Sequence, residues 1–197
     1  MPHLRHSPSD RPGAFHHPGR YDRLAHRRLR RLHARVAADV AAAGLADGCR
    51  VLDVGTGPGR VPLAIAAAAP RLVVEGVDLS DEMIEHARGL AREAAVGDRV
   101  SFTVGDVANL PYEDDSFDLI VSTLSQHHWR NVDGGMGELL RVLRPGGQIW
   151  IYDIRFALRR ARIAARTRCP ACEVGRHTIR TRALSLGLIA RLTVRPQ

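Results

Sequence analysis

The sequence contains no lysine, only three cysteines and no long apolar run. A bilayer span needs about 20 consecutive apolar residues, so we expect no membrane-spanning segment. Residues 1–20 lack the apolar core of a secretory signal and are interrupted by prolines, which predicts a flexible tail and a cytoplasmic location. The remaining length suits one domain with a substantial core, and we assign that domain to residues 21–197.

Cysteine is too scarce, and odd in number, for a disulfide framework. Cys169 and Cys172 are spaced like half a zinc site and have His177 nearby, but a second pair is absent. A zinc site completed by His16 or His17 is therefore the second interpretation. A redox pair lacks the expected context. We interpret Cys169–Cys172 as a turn with two free thiols and expect no metal.

The basic charge is carried by arginine alone, and it is unevenly placed. Residues 1–35 and 155–197 hold 20 of the 29 arginines against three acidic residues, whereas residues 36–154 hold nine against 18. An anionic partner such as nucleic acid or a membrane surface is one explanation. Aromatic residues do not interleave with these arginines as a nucleic-acid platform requires. We therefore favour a compositional origin, as in a GC-rich genome.

Short apolar runs alternate with amphipathic segments from Arg50 onward, a pattern typical of βαβ units. It predicts an α/β fold: a Rossmann-like, doubly wound, mostly parallel sheet of six or seven strands with helices on both faces. The predicted strands are 50–54, 72–78, 99–104, 117–122, 148–154 and 188–194. The predicted helices are 21–43, 60–69, 81–94, 137–143, 157–168 and 177–187, with a turn over 169–175.

Three glycines follow the first predicted strand in VLDVGTGPGR. Gly55, Gly57 and Gly59 allow a sharp turn and leave backbone N–H groups open to a ligand. A dinucleotide fingerprint requires a small residue where Arg60 stands. The spacing therefore disfavours a nicotinamide enzyme.

Two aspartates follow the next two strands. Asp78 ends the second strand, where a carboxylate accepts hydrogen bonds from ribose hydroxyls. Capping of the next helix is the alternative, but Ser80 already suits that role. Asp106 follows the third strand, where it could accept from an adenine amino group while the Val107 backbone reads the ring edge. For Asp106 an ordinary Asx turn remains a competing interpretation.

Four ordered motifs resemble those of class I S-adenosylmethionine-dependent methyltransferases, particularly the type 11 branch with the ubiquinone/menaquinone-biosynthesis enzymes. They are VLDVGTGPG, VEGVDLS, GDVANLPYEDDSFDLIVSTLSQHHW and LRVLRPGGQIWIYD. The resemblance covers roughly residues 50–154, which we take as the cofactor-binding core, and leaves 155–197 as an Arg-rich C-terminal segment. It implies S-adenosylmethionine as the cofactor and methyl transfer as the reaction.

The resemblance also implies roles within the cofactor site. The glycine turn would pass under the methionyl part, Asp53 would orient the α-amino group, and Asp78 would hold the ribose. The full implied set is Asp53, Gly55, Thr56, Gly57, Gly59, Asp78, Leu79, Met83, Asp106, Val107, Ser122 and Thr123.

The acceptor half of the site is less recognisable. His127 and His128 follow the fourth strand and could serve as a general base; the alternative is that they shape the pocket wall. We expect in-line methyl transfer to a small molecule. The rival functions are a cofactor-binding pseudoenzyme and a nucleic-acid methyltransferase or binding module.

The C-terminal segment departs from the family pattern. After the fifth strand only residues 188–194 have the pattern of a strand, which predicts that the family's seventh strand is missing. The sheet edge would then be exposed or covered by a second copy in a homodimer. This absence motivates the pseudoenzyme alternative.

Overall fold

A computed structural model describes residues 18–94, 96, 98–179 and 188–197, with side chains from residue 29 onward. The predicted N-terminal tail and most of the predicted helix over 177–187 lie outside these residues. The strands are β1 Arg50–Val54, β2 Val73–Asp78, β3 Val100–Val104, β4 Phe117–Thr123, β5 Leu143–Ile154, β6 Glu173–Thr178 and β7 Ile189–Arg195. The helices are α1 Pro18–Ala41, α2 Arg60–Ala68, α3 Asp81–Glu93, α4 Val132–Val142 and α5 Leu158–Arg168.

The seven strands form one sheet in the order β3-β2-β1-β4-β5-β7-β6. Strands β1 to β5 are parallel, β7 is antiparallel to β5, and β6 is antiparallel to β7. The expected doubly wound sheet is confirmed. The strand order reverses between β1 and β4, which neighbour each other although β2 and β3 intervene in sequence. Ligands of such sheets bind at this switch point, beyond the carboxyl ends of the strands.

Two apolar layers cover the sheet. Helices α1, α2 and α3 contact one another, with Val36, Ile65 and Ile84 fully buried in the first cluster. Helices α4 and α5 pack together in the second cluster, which contains Leu139 and Ala161. The sheet therefore has helices on both faces, as expected for parallel strands whose crossovers carry the helices.

The prediction of a missing seventh strand is wrong. Residues Glu173–Thr178 form β6 and pair with β7 along the whole strand, from Glu173 opposite Arg195 to Thr178 opposite Ala190. His177 and Thr178, predicted to begin a helix, belong to this strand. Most of its residues are exposed, as is common for a strand with one neighbour. The edge of β7 is thus covered by the chain itself.

The prediction of two free thiols is also wrong, because Cys169 and Cys172 form a disulfide. The bridge lies between the end of α5 and the start of β6. The zinc interpretation loses both sulfur ligands in this state. Within the described residues, no group of three His, Cys, Asp or Glu side chains is placed to hold a metal ion.

Helix α4 is longer than the seven residues predicted over 137–143. It begins at Val132 and is capped by Asn131, whose side chain accepts a 2.8 Å hydrogen bond from the Gly134 N–H. The glycines in this first turn have low helix propensity, so the sequence pattern did not predict the turn as helical. Gly135 packs against Trp129, where a Cβ would lie 3.2 Å from the ring.

Candidate active site

A cavity of about 270 Å³ lies at the carboxyl ends of β1, β2 and β4, at the switch point. Ten of the twelve predicted cofactor residues line it: Asp53, Gly55, Thr56, Gly57, Asp78, Leu79, Met83, Asp106, Val107 and Thr123. Gly59 and Ser122 do not. The sheet therefore brings together residues from three of the four motifs, while the role of each residue remains a prediction.

The glycine turn is shaped by close packing as well as by backbone dihedrals. Gly55 has φ 71°, and a Cβ there would lie 1.7 Å from Ser125 Oγ in the loop after β4. Gly59 has φ 77°, and its Cβ would lie 2.6 Å from Phe102 Cζ. Gly59 therefore lets α2 start against β3 and contributes packing, not cavity surface.

Asp78 closes the turn from the neighbouring strand. Its Oδ2 accepts a 2.8 Å hydrogen bond from the Gly57 N–H, and its Oδ1 accepts a 3.0 Å bond from the Ser80 N–H. Burial raises the pKa of Asp78, and these N–H donors oppose that shift. Ser80 caps α3, accepting from the Met83 N–H. Each carboxylate oxygen retains a lone pair that can accept from a ligand hydroxyl.

Asp53 is a second carboxylate in the cavity wall, at the end of β1. It is almost fully buried, and its Oδ1 has no hydrogen-bond partner within the described residues. Burial raises its pKa from 3.8 to about 7; the Thr56 side chain opposes this shift, and the charge of Asp78 adds to it. Such a group is costly unless something pairs with it, and a ligand cation would.

Asp106 forms the Asx turn that we considered as an alternative role. Its Oδ1 accepts a 2.9 Å hydrogen bond from the Ala108 N–H, and the side chain is otherwise exposed at the cavity rim. The turn and a ligand contact are compatible, because a carboxylate has a second oxygen.

The cavity floor at the end of β4 carries hydroxyl groups. Thr123 lines the cavity, and its Oγ1 has no hydrogen-bond partner within the described residues. Ser122 is fully buried and does not line the cavity, and its hydroxyl also has no hydrogen-bond partner within the described residues. Unpaired buried hydroxyls at a cavity wall are suited to a polar ligand.

The two histidines occupy different positions in the short 3-10 helix Gln126–His128. His128 lines the cavity, whereas His127 does not. Burial lowers the pKa of His128, and His127 lowers it further, so His128 is neutral near pH 7. His127 Nδ1 lies 2.8 Å from Oδ1 of the fully buried Asp153, and its backbone N–H donates to the other carboxylate oxygen.

Sequence reasoning missed Asp153 because 26 residues separate it from His127. It also missed the wall that α1 provides, where Leu29 and His33 line the cavity together with Trp129 from the loop after β4. The Trp129 Nε1–H donates a 3.1 Å hydrogen bond to Ser125 Oγ. Leu29 and His33 lie outside the four motifs, so the resemblance gave no signal for them.

The arrangement fits S-adenosylmethionine. Two carboxylates line the cavity, and Oδ1 of Asp53 has no hydrogen-bond partner within the described residues. The ligand offers an ammonium, a sulfonium and a ribose diol. Residues 51–147 match the family described as "Methyltransferase domain". Residues 51–147 are thus a methyltransferase domain, and the relatives and the fold support a class I S-adenosylmethionine-dependent methyltransferase. This confirms the resemblance found in the sequence, and family and fold together imply S-adenosylmethionine as the cofactor.

Relatives of this methyltransferase agree over the same region. It is 45% identical over 107 residues to Methyltransferase GfsG of Streptomyces halstedii, covering 54% of this chain and 38% of that one. It is 36% identical over 113 residues to the ubiquinone/menaquinone biosynthesis C-methyltransferase UbiE of Geotalea daltonii, covering 55% and 48%. The chain thus spans less than half the length of the curated relatives it matches.

A solved structure supports the fold of the whole chain. The SAM-dependent methyltransferase of Aquifex aeolicus superimposes with a TM-score of 0.66 and 19% identity, over 92% of this chain and 98% of that one.

No helix within the described ranges is long and apolar enough to cross a membrane.

Proposed function

We propose that this methyltransferase transfers the methyl group of S-adenosylmethionine to a small-molecule acceptor. One observation carries the proposal. The buried Asp53, Asp78 and the glycine turn all line the same cavity at the switch point. The cofactor supplies an activated methyl on a cationic sulfur. The protein's task is to hold both reactants in line and keep water out.

The roles of the cofactor-side residues follow from their contacts. Asp78, already oriented by the Gly57 and Ser80 N–H groups, accepts from the ribose hydroxyls. Asp53 pairs with the α-amino group, whose charge offsets the cost of burying the carboxylate. Leu79 and Met83 supply the apolar surface for the adenine.

The acceptor side is supplied by the 3-10 helix and its neighbours. His128 is neutral near pH 7 and lines the cavity, so it can accept a proton from an acceptor hydroxyl or ammonium. His127, held by Asp153 through two contacts, fixes the helix that presents His128. We infer that His128 is the base and that His127 positions it.

The first experiment is calorimetric titration with S-adenosylmethionine, S-adenosylhomocysteine and NAD. We expect micromolar binding of the first two, no binding of NAD, and loss of binding in Asp78→Ala. Asp81→Ala is the matched control, because Asp81 is exposed in the first turn of α3. Absent binding in the folded protein, or binding unchanged in Asp78→Ala, would contradict the assigned pocket.

Methyl transfer itself is tested with labelled S-adenosylmethionine and a panel of alcohols, phenols, amines and quinones. An acceptor that is methylated by the parent protein and not by Asp78→Ala excludes the pseudoenzyme alternative. His128→Gln should lower kcat by about 100-fold or more for an acceptor that is protonated at neutral pH, with cofactor affinity unchanged. Binding of the cofactor with no transfer to any acceptor class would favour the pseudoenzyme.

The cytoplasmic location and the homodimer remain predictions, which cell fractionation and light scattering test. The homodimer was proposed to cover an exposed edge of the sheet, and β6 already covers the edge of β7.

A further inference from the structure

Helix α5 presents an outer face that is both cationic and apolar. Phe156, in the turn before the helix, is 81% exposed, and Ile163 is 54% exposed. The turn is helical, because the Arg159 N–H donates to the Phe156 carbonyl. Phe156, Arg159, Arg160, Ile163 and Arg166 therefore fall on one stripe at helical spacing, and we call this stripe the α5 outer face.

The opposite side of α5 packs against the rest of the protein. The outer face makes no contribution to this packing. Leu158, Ala161 and Ala165 are buried in the second apolar cluster. Burial of large apolar side chains drives folding, so two of them left in water on one stripe indicate a surface that meets something apolar.

The charge of this face is not neutralised within the part of the chain that the structure describes. Arg155, Arg159, Arg160, Arg162 and Arg166 make no ion pair there, whereas Arg168 pairs with Asp133. There is no acidic residue in 155–172. The face thus offers three guanidinium groups, those of Arg159, Arg160 and Arg166, to an anionic partner, and Arg155 and Arg162 lie beside it.

We propose that the α5 outer face docks onto an anionic lipid surface. Protruding Phe156 and Ile163 enter the headgroup region while the arginines pair with lipid phosphates, the combination that interfacial helices use. A nucleic acid explains the arginines and Phe156, which could stack on a base, but it does not explain the exposed aliphatic Ile163. A lipid surface explains both features.

Docking there places the cavity near the bilayer. Phe156 follows Asp153 by three residues, and α5 contacts the 3-10 helix that carries His127 and His128. Both lie at the carboxyl edge of the sheet, where the cavity is. Apolar acceptors dissolved in the bilayer would then reach the site without crossing water. The docking surface itself does not depend on the proposed methyl transfer.

The experiment is co-sedimentation of the full chain with vesicles of phosphatidylcholine alone and of phosphatidylcholine with an equal part of phosphatidylglycerol. We expect binding to the anionic vesicles only, weakening with salt. Phe156→Ser/Ile163→Ser keeps every charge and should lower binding about tenfold or more. Arg159→Gln/Arg166→Gln should lower it roughly 25-fold, at about fivefold, or ~1 kcal/mol, per arginine.

Arg176→Gln is the matched control, since Arg176 is an exposed arginine on β6, away from the stripe; it should bind nearly as the parent protein does. Binding of S-adenosylmethionine by each variant shows that it is folded. Three outcomes overturn the proposal: no binding to anionic vesicles, binding unchanged in Phe156→Ser/Ile163→Ser, or tighter binding to single-stranded RNA that this double variant leaves intact. The last would assign the face to nucleic acid.

Discussion

Asp53 is a buried carboxylate whose burial lowers the stability of the protein without ligand, and a bound cation would offset that cost. It lies at the end of β1 with one oxygen lacking a described partner, in a position where the negative charge is poorly solvated. Asp78, by contrast, has two backbone N–H donors. Asp53 would therefore be stabilised by a bound cation, whereas the Asp78 carboxylate is already oriented by the protein.

The raised pKa of Asp53 predicts a pH dependence of stability. Its pKa is 3.8 when unfolded and about 7 when folded, so between these values the folded state binds more protons. The free energy of unfolding should therefore fall as pH rises from about 4 to 7, by up to ~1.4 kcal/mol per pH unit. Urea unfolding of the parent and of Asp53→Asn across this range measures the effect, which should be absent in the variant.

The same group predicts proton release on cofactor binding. Pairing with a ligand ammonium favours the charged carboxylate, so S-adenosylmethionine should displace a proton from Asp53 near pH 6. Calorimetry in two buffers with different ionisation enthalpies measures the released proton. Equal apparent enthalpies in both buffers would show that Asp53 does not pair with the ligand cation.

Substitution of Gly59 distinguishes the cost of a steric clash from the cost of backbone strain. Gly59→Ala places a Cβ at φ 77° and 2.6 Å from Phe102, and should cost about 2 to 5 kcal/mol. Gly44→Ala shares a positive φ of 72° but meets no atom within 4 Å, so it should cost about 1 kcal/mol. Thermal unfolding of the two variants compares them; equal losses would mean that the Phe102 contact relaxes freely.

At the scale of elements, α1 is joined to the far half of the sheet by a polar link. The Tyr152 hydroxyl on β5 donates a 2.9 Å hydrogen bond to Asp39 on α1, and Arg191 on β7 lies 3.4 Å from the same carboxylate. Arg191 also stacks over Trp150, 4.7 Å from the ring centroid. Because Leu29 and His33 of α1 line the cavity, this link fixes one of its walls.

Tyr152→Phe tests that link. Loss of a buried hydrogen bond to a carboxylate should cost about 2 kcal/mol, or roughly 4 to 8 °C in Tm. Hydrogen exchange in residues 29–41 should increase as α1 loosens. Tyr112→Phe is the control, because the buried Tyr112 hydroxyl faces the neutral Thr103 side chain and not a carboxylate, so its loss should cost less. A neutral Tyr152→Phe would show that apolar packing alone holds α1.

For the whole molecule, ligand binding and folding are linked. If S-adenosylmethionine binds only the folded state, a concentration 100-fold above Kd stabilises the protein by about 2.7 kcal/mol, equivalent to roughly 5 to 11 °C in Tm for a chain of this size. Asp78→Ala should show no shift, and NAD should give none with either protein. A shift that persists in Asp78→Ala would place the ligand elsewhere.

Much of the fold and most of the cavity could be predicted because the signals are local. RVLDV predicts β1 with the observed bounds, since an apolar run ending in a glycine turn leaves few alternatives. Parallel strands bring their carboxyl ends to one edge, so Asp53, Asp78 and Thr123 converge without knowledge of side-chain contacts. The order of the motifs sufficed to identify the family.

Features built from distant or weakly patterned residues could be decided only by the tertiary structure. Strand β6, EVGRHT, has little apolar alternation and is defined by its pairing with β7 across the chain. The contact between His127 and Asp153 joins the 3-10 helix after β4 to the end of β5, and the cysteine bridge depends on how α5 meets β6. The sequence by itself determined the sheet and the cofactor half of the site, because strand ends and glycine turns are local. Packing between elements determined the last strand, the histidine pair and the exposed face of α5, because those depend on which surfaces the finished sheet buries.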